Sequence, residues 1–299
     1  MRLEIACERL LVLNPLVMAI QTAIVVEGGA MRGIFSAGVL DVLLEEGLVD
    51  FDLAIGTSAG ACNLASFLAK QHKRNFRCYT EIMARPQLFS VVRALGGGHF
   101  MDLDWLWDQL RVEMPLDQEA IERNRTQFVS VATCARSGDS VYLSHRAPNI
   151  HDELKAGCAL PIFYRGPIRV GDLEVVDGGL TDPIPVEEAY RRGARRICVI
   201  RSRPADFIKR TDLLSIILPT LLPVGPVLSR VMRNTALRYR QTVSFLLSPP
   251  PDAEILHLAP PHPLRSSRTT QDRFRLLSDY KLGCSVARLF LGQIAKLLA

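Results

Sequence analysis

Between Thr22 and Gln71 the chain switches repeatedly between two hydrophobic periods, and that alternation limits its fold more than any other feature. TAIVVE (Thr22 to Glu27) is a β-branched run with no polar alternation that stops at glycines, which suits a strand buried on both faces. In GIFSAGVLDVLLEEGL the residues Phe35, Val39, Val42 and Leu43 recur at helical spacing, and Gly47 is placed to end that helix. FDLAIG then reads as a second strand and AGACNLASFLAKQ as a second helix. Strand, helix, strand, helix in this order predicts an α/β fold: three layers, α/β/α, with a mainly parallel central sheet.

The pattern is less regular from Tyr79 to Met114, where LGGGHF reads as a flexible loop. Strand signals return at QFVSVATC and SVYLS, with ARSGD as the turn between them. His151 to Gly157 reads as a short helix, Ile168 to Val176 as a hairpin around Gly171-Asp172, and PVEEAYRRG as a helix leading into the strand RRICVIR. Beyond Pro204 the connectors SPPPD and APPHPL separate two expected helices, near Asp212 to Gln241 and Asp272 to Leu298. The expected organisation is an N-terminal extension over residues 1–21, an α/β core over 22–203, and a mostly helical C-terminal extension over 204–299 that caps the same domain.

Composition narrows the partners. With 48% hydrophobic and 22% charged residues the 299-residue chain can bury a large core. A net charge of +5, with Arg and Lys dispersed outside Arg191 to Arg203 and Arg230 to Arg240, is not the footprint of a nucleic-acid binder. It leaves room for peripheral attraction to an anionic membrane. Seven widely spaced cysteines without a CxxC pair fit free thiols in a reducing compartment. The N-terminal stretch, broken by Asn14 and Pro15 and carrying Glu4 and Glu8, makes a poor secretion leader, and Met18 is an alternative start. No apolar run reaches the roughly 20 residues of a spanning helix. Leu213 to Leu228 comes nearest, but Pro219, Pro223 and Pro226 interrupt it, so it reads as buried or interface-seeking. The expected location is cytoplasmic, with peripheral contact at the inner face of the membrane left open.

The chemistry concentrates at GTSAG. Gly56 and Gly60 flank Ser58 between a strand and a helix, the setting of a nucleophile elbow, and the helix N-terminus directs positive potential at the serine. A serine hydroxyl needs a base and donors for the oxyanion. EGGAMRG, directly after the first strand, exposes backbone N–H groups that can serve as donors. The same turn approximates a dinucleotide fingerprint through Gly28, Ala30 and Gly33, but alanine stands where the pyrophosphate must approach, and the second strand ends in GTSAG rather than an acidic residue. A phosphate-binding loop is excluded, since no G-K-[ST] follows. The candidate base is Asp177 in VVDGGLTDPIP, at the end of an apolar run and exposed by Gly178 and Gly179. An Asp-Gly-Gly alone is a good turn; paired with a strand-end serine it gains another meaning.

GGAMRG, GTSAG and DGG, in this order, resemble the three motifs of the patatin-like phospholipases, serine acyl hydrolases with a Ser-Asp dyad, and most of all their bacterial branch. The resemblance covers roughly Thr22 to Ile200. It implies a Ser58 nucleophile, an Asp177 base, an oxyanion hole at Gly28, Gly29 and Ala30, and an Arg32 that braces the loop or faces an anionic substrate group. It also implies lipid ester substrates, phospholipid or lysophospholipid, with no metal or organic cofactor. Ala30 departs from the family's third glycine: it keeps the N–H but resists positive φ. Two alternatives stand beside it. One is a Ser-His-Asp esterase using His257 or His262, which follow the acid as an α/β-hydrolase requires. The other is a non-catalytic protein that uses the scaffold to bind lipid or a partner.

Overall fold

In the computed structural model, residues 20–145, 150–211, 217 and 224–299 are described. Nearly all of the expected N-terminal extension, and most of Leu213 to Leu228 with the first part of the helix expected from Asp212, lie outside them.

The β-branched runs form eight strands: β1 (Thr22–Val26), β2 (Leu53–Thr57), β3 (Gln127–Cys134), β4 (Ser140–Ser144), β5 (Ile168–Val170), β6 (Leu173–Asp177), β7 (Arg196–Ile200) and β8 (Glu254–Leu258). The described helices are α1 (Ile34–Glu45), α2 (Ala59–Leu68), α3 (Arg74–Arg77), α4 (Val91–Leu95), α5 (Leu103–Glu113), α6 (Gln118–Arg123), α7 (Ile150–Gly157), α8 (Val186–Arg191), α9 (Gly225–Arg233), α10 (Thr235–Leu247) and α11 (Arg273–Leu298). A π-helical turn over Cys78–Ile82 continues α3.

The strands hydrogen-bond in the order β5-β6-β3-β2-β1-β7-β8, with β4 also on β3. Pairing is parallel among β8, β7, β1, β2 and β3 and antiparallel around β4, β5 and β6. Register on β3 decides what meets what. Residues 129–131 pair with both β2 and β4, and residues 132 and 133 with both β4 and β6. β2 and β6 therefore share one edge of β3, and β6 takes over where β2 stops. Thr57 lies opposite Val131 and Asp177 opposite Ala132, so the C-terminal ends of β2 and β6 meet nearly head-on.

Two cores flank the sheet. On one face Ile24, Val26 and Ala54 pack with α1, whose residues Ile34 to Leu43 are all buried. On the other, Val25, Ile55, Val129 and Val199 pack with residues of α8 and α10. α1 is apolar nearly all round, as a helix covered on every side must be. α11 covers it: the backbones approach through Gly38 and Gly283, where an added Cβ would collide with the Tyr280 and Phe35 carbonyls respectively. Asp41, the buried carboxylate of α1, accepts from Tyr280 of α11 at 2.8 Å and from the Lys73 backbone N–H at 2.9 Å.

The chain beyond residue 203 is less purely helical than expected. EILHL forms β8, paired in register with β7, and extends the central sheet. The described part of the long helix expected to end near Gln241 is divided at Asn234, between α9 and α10. The irregular region before Met114 holds two helices, α4 and α5, each capped by a side chain: Ser90 accepts from the Arg93 N–H and Asp102 from the Trp105 N–H. The six described cysteines are free thiols, three buried and three half-buried, with the Sγ atoms of Cys62 and Cys158 3.6 Å apart. Among the described residues no helix is long and apolar enough to cross a membrane.

Candidate active site

Ser58 follows the last residue of β2 and precedes α2, with φ 53° and ψ −127°. That is a strained conformation for a side chain with a Cβ, costing about 1–3 kcal/mol, and the surroundings must hold it in place. The flanking glycines let them. A Cβ on Gly60 would strike the Val26 carbonyl at the end of β1, and one on Gly56 would strike the first turn of α2. The Thr57 hydroxyl donates to the Asp182 carbonyl at 2.8 Å and fixes the turn from the other side.

The head-on meeting of β2 and β6 brings Ser58 to Asp177: the serine hydroxyl donates to Oδ2 at 2.8 Å. The other carboxylate oxygen, Oδ1, accepts from the Gly179 N–H at 2.7 Å, and the Asp177 backbone is tied to Ala159 and Thr133. Burial raises the Asp177 pKa above the ordinary carboxylate value, against the lowering effect of the Gly179 and Ser58 hydrogen bonds and of Arg268. A carboxyl group in this state holds a proton more strongly than one in water, as a general base must.

The glycine-rich turn lies beside this pair. Gly28, Gly29, Ala30 and Arg32 all line the same cavity as Ser58 and Asp177. The Gly28 N–H leans toward the Pro183 carbonyl at 3.4 Å, whereas those of Gly29 and Ala30 have no acceptor among the described residues. Ala30 adopts φ 48°, the left-handed conformation that its Cβ resists. From α2, Asn63 donates to the Gly33 carbonyl at 2.8 Å and pins the end of the turn. Glu27 holds its start: it is buried, and accepts from Tyr239 at 2.9 Å and from the Ser202 hydroxyl at 3.1 Å.

Arg32 is buried, with no ion-pair partner among the described residues and no acceptor for its Nε. Burial first, then repulsion from Arg268 and Arg203, brings its pKa down to about 9. The cavity has a volume of about 1020 Å³, enough for a long flexible ligand. Leu103, Leu106, Trp107 and Phe163 give it an apolar wall, and Arg203, Lys209 and Arg268 a cationic one.

The two histidines weighed as triad members stand elsewhere. His257 sits on β8 opposite Val199, with Nε2 buried and unpartnered, and burial lowers its pKa to about 4. His262 is exposed in the following connector, and neither lines the cavity. The cluster Arg191, Arg192 and Arg195 is committed to ion pairs, the first two with the buried Glu188 and the third with Asp252.

Glu27, Arg203, Tyr239 and Arg268 are not marked by any motif. Glu27 and Arg203 follow parallel strands at their carboxyl ends, where ligands bind in open α/β sheets, and that position is a usable signal. Tyr239 and Arg268 carry no such signal, because only tertiary packing brings their segments over the site.

A family model described as patatin-like phospholipase matches residues 24–190, and one described as a domain of unknown function, DUF6363, matches residues 226–299. Among curated proteins, the chain is 34% identical over 281 residues to the uncharacterized protein YjjU of Escherichia coli (strain K12), covering 92% of this chain and 78% of that one. Two solved structures are similar at low identity. VipD from Legionella pneumophila matches with a TM-score of 0.41 and 12% identity, over 91% of this chain and 67% of that one. Human GIVD cytosolic phospholipase A2, solved with a methyl gamma-linolenyl fluorophosphonate inhibitor and terbium chloride, matches with a TM-score of 0.43 and 16% identity, over 94% of this chain and 60% of that one.

Proposed function

The chain belongs to the patatin-like phospholipase family, and from that premise we propose that it is a serine acyl hydrolase cleaving carboxylic ester bonds of lipids, phospholipid or lysophospholipid. The observation that carries the proposal is the 2.8 Å hydrogen bond from the Ser58 hydroxyl to a buried carboxylate of raised pKa.

In this mechanism Asp177 takes the hydroxyl proton as Ser58 Oγ attacks the ester carbonyl carbon. The oxyanion is held by the free N–H groups of Gly29 and Ala30, each donor of this kind being worth about 3 kcal/mol in the transition state. Collapse of the tetrahedral intermediate releases the alcohol, which leaves with the proton from Asp177. Water then attacks the acyl-serine with Asp177 again as base, and the fatty acid departs. The strain at Ser58 keeps Oγ clear of the β2 backbone and directed into the cavity, while the apolar wall gives the acyl chain a place out of water.

We expect Ser58→Ala and Asp177→Asn each to reduce hydrolysis of a p-nitrophenyl ester and of a lysophospholipid by at least about a thousandfold. A fluorophosphonate probe should label Ser58 in the folded wild type. Hydrolysis surviving in Ser58→Ala would overturn the assignment, and a folded protein left unlabelled would favour a scaffold that only binds. The pH profile has a definite sign: kcat/KM falls as pH drops through the raised Asp177 pKa, because the protonated carboxyl cannot accept the serine proton. A rate flat across the acid range would remove Asp177 from the base role.

A further inference from the structure

Arg203, Lys209 and Arg268 share the Ser58 cavity with Arg32, and not one of the four has an ion-pair partner among the described residues. Of the other cations that line the cavity, Arg74 bonds the Ser66 hydroxyl and the Met114 carbonyl, whereas Arg210 has no ion pair among the described residues and stands exposed beside Lys209. Facing the four are Glu27, already occupied by Tyr239 and Ser202, and Asp177, occupied by Ser58 and Gly179. All four line the one cavity, and their charges bear on one another's protonation. Burial and the neighbouring positive charges of Arg268, Arg32 and Arg203 bring the Lys209 pKa down to about 8. Burial lowers that of Arg268 as well, although much of its surface stays open to the cavity. Unpaired like charges gathered around one cavity repel one another, and a fold that keeps them leaves an attraction for an anion.

The position of the cluster relates it to Ser58. Arg203 and Lys209 follow β7, on the β1 side of β2, and the Arg268 carbonyl accepts from the Met31 N–H of the glycine-rich turn at 3.4 Å. The apolar wall stands on the β3 and β6 side, where Met101 and Phe163 are joined by a backbone hydrogen bond and α7 packs on both strands. Ser58 lies between an apolar wall and a cationic one.

We propose that Arg203, Lys209 and Arg268, with Arg32, form a subsite for an anionic phosphate headgroup, so that the preferred substrate is an acyl ester bearing net negative charge, of the lysophosphatidic acid type, rather than a zwitterionic or neutral one. The choice of substrate rests on the acyl hydrolase assignment; the anion subsite stands without it. Guanidinium forks suit phosphate oxygens, and several cations match a phosphomonoester dianion better than they match a phosphocholine whose ammonium cancels the charge.

Binding to the inactive Ser58→Ala protein tests the subsite without any turnover. Lysophosphatidic acid, lysophosphatidylcholine and monoacylglycerol of one chain length, and inorganic phosphate alone, are titrated by calorimetry at two salt concentrations. We expect lysophosphatidic acid to bind at least about tenfold tighter than monoacylglycerol, with the difference shrinking in high salt. Adding Lys209→Gln or Arg268→Gln should cut that preference about tenfold each, and in the active protein the same ratio should fall in kcat/KM. Neither side chain has an ion pair to lose, so both variants should fold with an unchanged or raised Tm. Equal binding of charged and neutral lipids, or a preference that survives both substitutions, would overturn the proposal. Inorganic phosphate binding as tightly as the lipid would refute the headgroup assignment in favour of a free anion. Preferential binding without hydrolysis of any ester by wild type would support the subsite while removing the acyl hydrolase.

Discussion

At the scale of single residues, the site carries strain in two places, and they differ in kind. Ser58 at φ 53° stands where the side chain itself is needed, so its strain cannot be removed without removing the hydroxyl. Ala30 at φ 48° needs no side chain for a role as backbone donor. Glycine adopts that conformation freely, and the relief outweighs the extra entropy it gives the unfolded chain. We therefore expect Ala30→Gly to stabilise the protein by about 1 kcal/mol in urea denaturation and to keep or raise kcat; a loss of stability would mean that the Ala30 methyl packs usefully. Asp177→Asn should separate stability from activity in the opposite manner. Because the folded-state pKa of Asp177 is raised, its contribution to stability is complete below the unfolded value of 3.8 and is lost as pH rises through the folded one. An asparagine resembles the protonated state at every pH. Tm of Asp177→Asn should exceed that of wild type at pH 7, and the gap should close toward pH 4. The motifs at Ser58, Asp177 and the glycine-rich turn were readable because each needs particular residue types at fixed local spacing. Arg268 and Tyr239 were not, since an arginine in SSRTT and a tyrosine in RYRQT look like any surface residue until packing brings them over the turn.

At the scale of elements, legibility followed how locally each signal is encoded. β1, α1, β2 and α2 declare themselves through period alone, and the register that sets Asp177 beside Ser58 is latent in the lengths of β2 and β6 but cannot be extracted without knowing that both pair with β3. β8 was legible only in part: His257 alternates with Leu256 and Leu258 as in a strand, but five residues between proline-rich connectors do not reveal a place in the central sheet, and the pairing partner lies more than fifty residues away in sequence. The contact of α1 with α11 has a consequence that sequence propensity would predict wrongly. Gly283 and Gly292 both lie in α11, where alanine is favoured over glycine by about 1 kcal/mol. At Gly292 a Cβ meets open space, so Gly292→Ala should stabilise by about that amount. At Gly283 it collides with the Phe35 carbonyl, which is backbone and cannot swing aside. Overpacking of this kind costs about 1–3 kcal/mol and outweighs the propensity gain. Urea denaturation of the two variants should give shifts of opposite sign, and a stabilised Gly283→Ala would show that the helices can separate at little cost.

At the scale of the whole molecule, we propose that the chain from residue 22 to 299 is one cooperative unit, in which the segment after Arg203 completes the core. Three contacts support this: β8 continues the sheet beyond β7, α11 buries the outer side of α1, and Tyr239 of α10 holds Glu27 at the start of the glycine-rich turn. Ending the chain at Arg203 would leave β7 as an open edge and expose the side of α1 that faces α11. Each large apolar side chain returned to water costs about 1.5–3 kcal/mol, so uncovering three would remove about 5–9 kcal/mol, comparable with the whole stability of a typical domain. A chain ending at Arg203 is therefore expected to aggregate or to lack near-UV circular dichroism, not to survive as a smaller hydrolase. The full chain should unfold in a single calorimetric transition whose van't Hoff and calorimetric enthalpies agree. Ser58→Ala should follow the same single transition, since the cooperative contacts do not pass through the serine hydroxyl. Two resolved transitions, or a truncated chain that folds and hydrolyses an ester, would divide the molecule at Arg203 and make Lys209 and Arg268 additions to a core that stands without them.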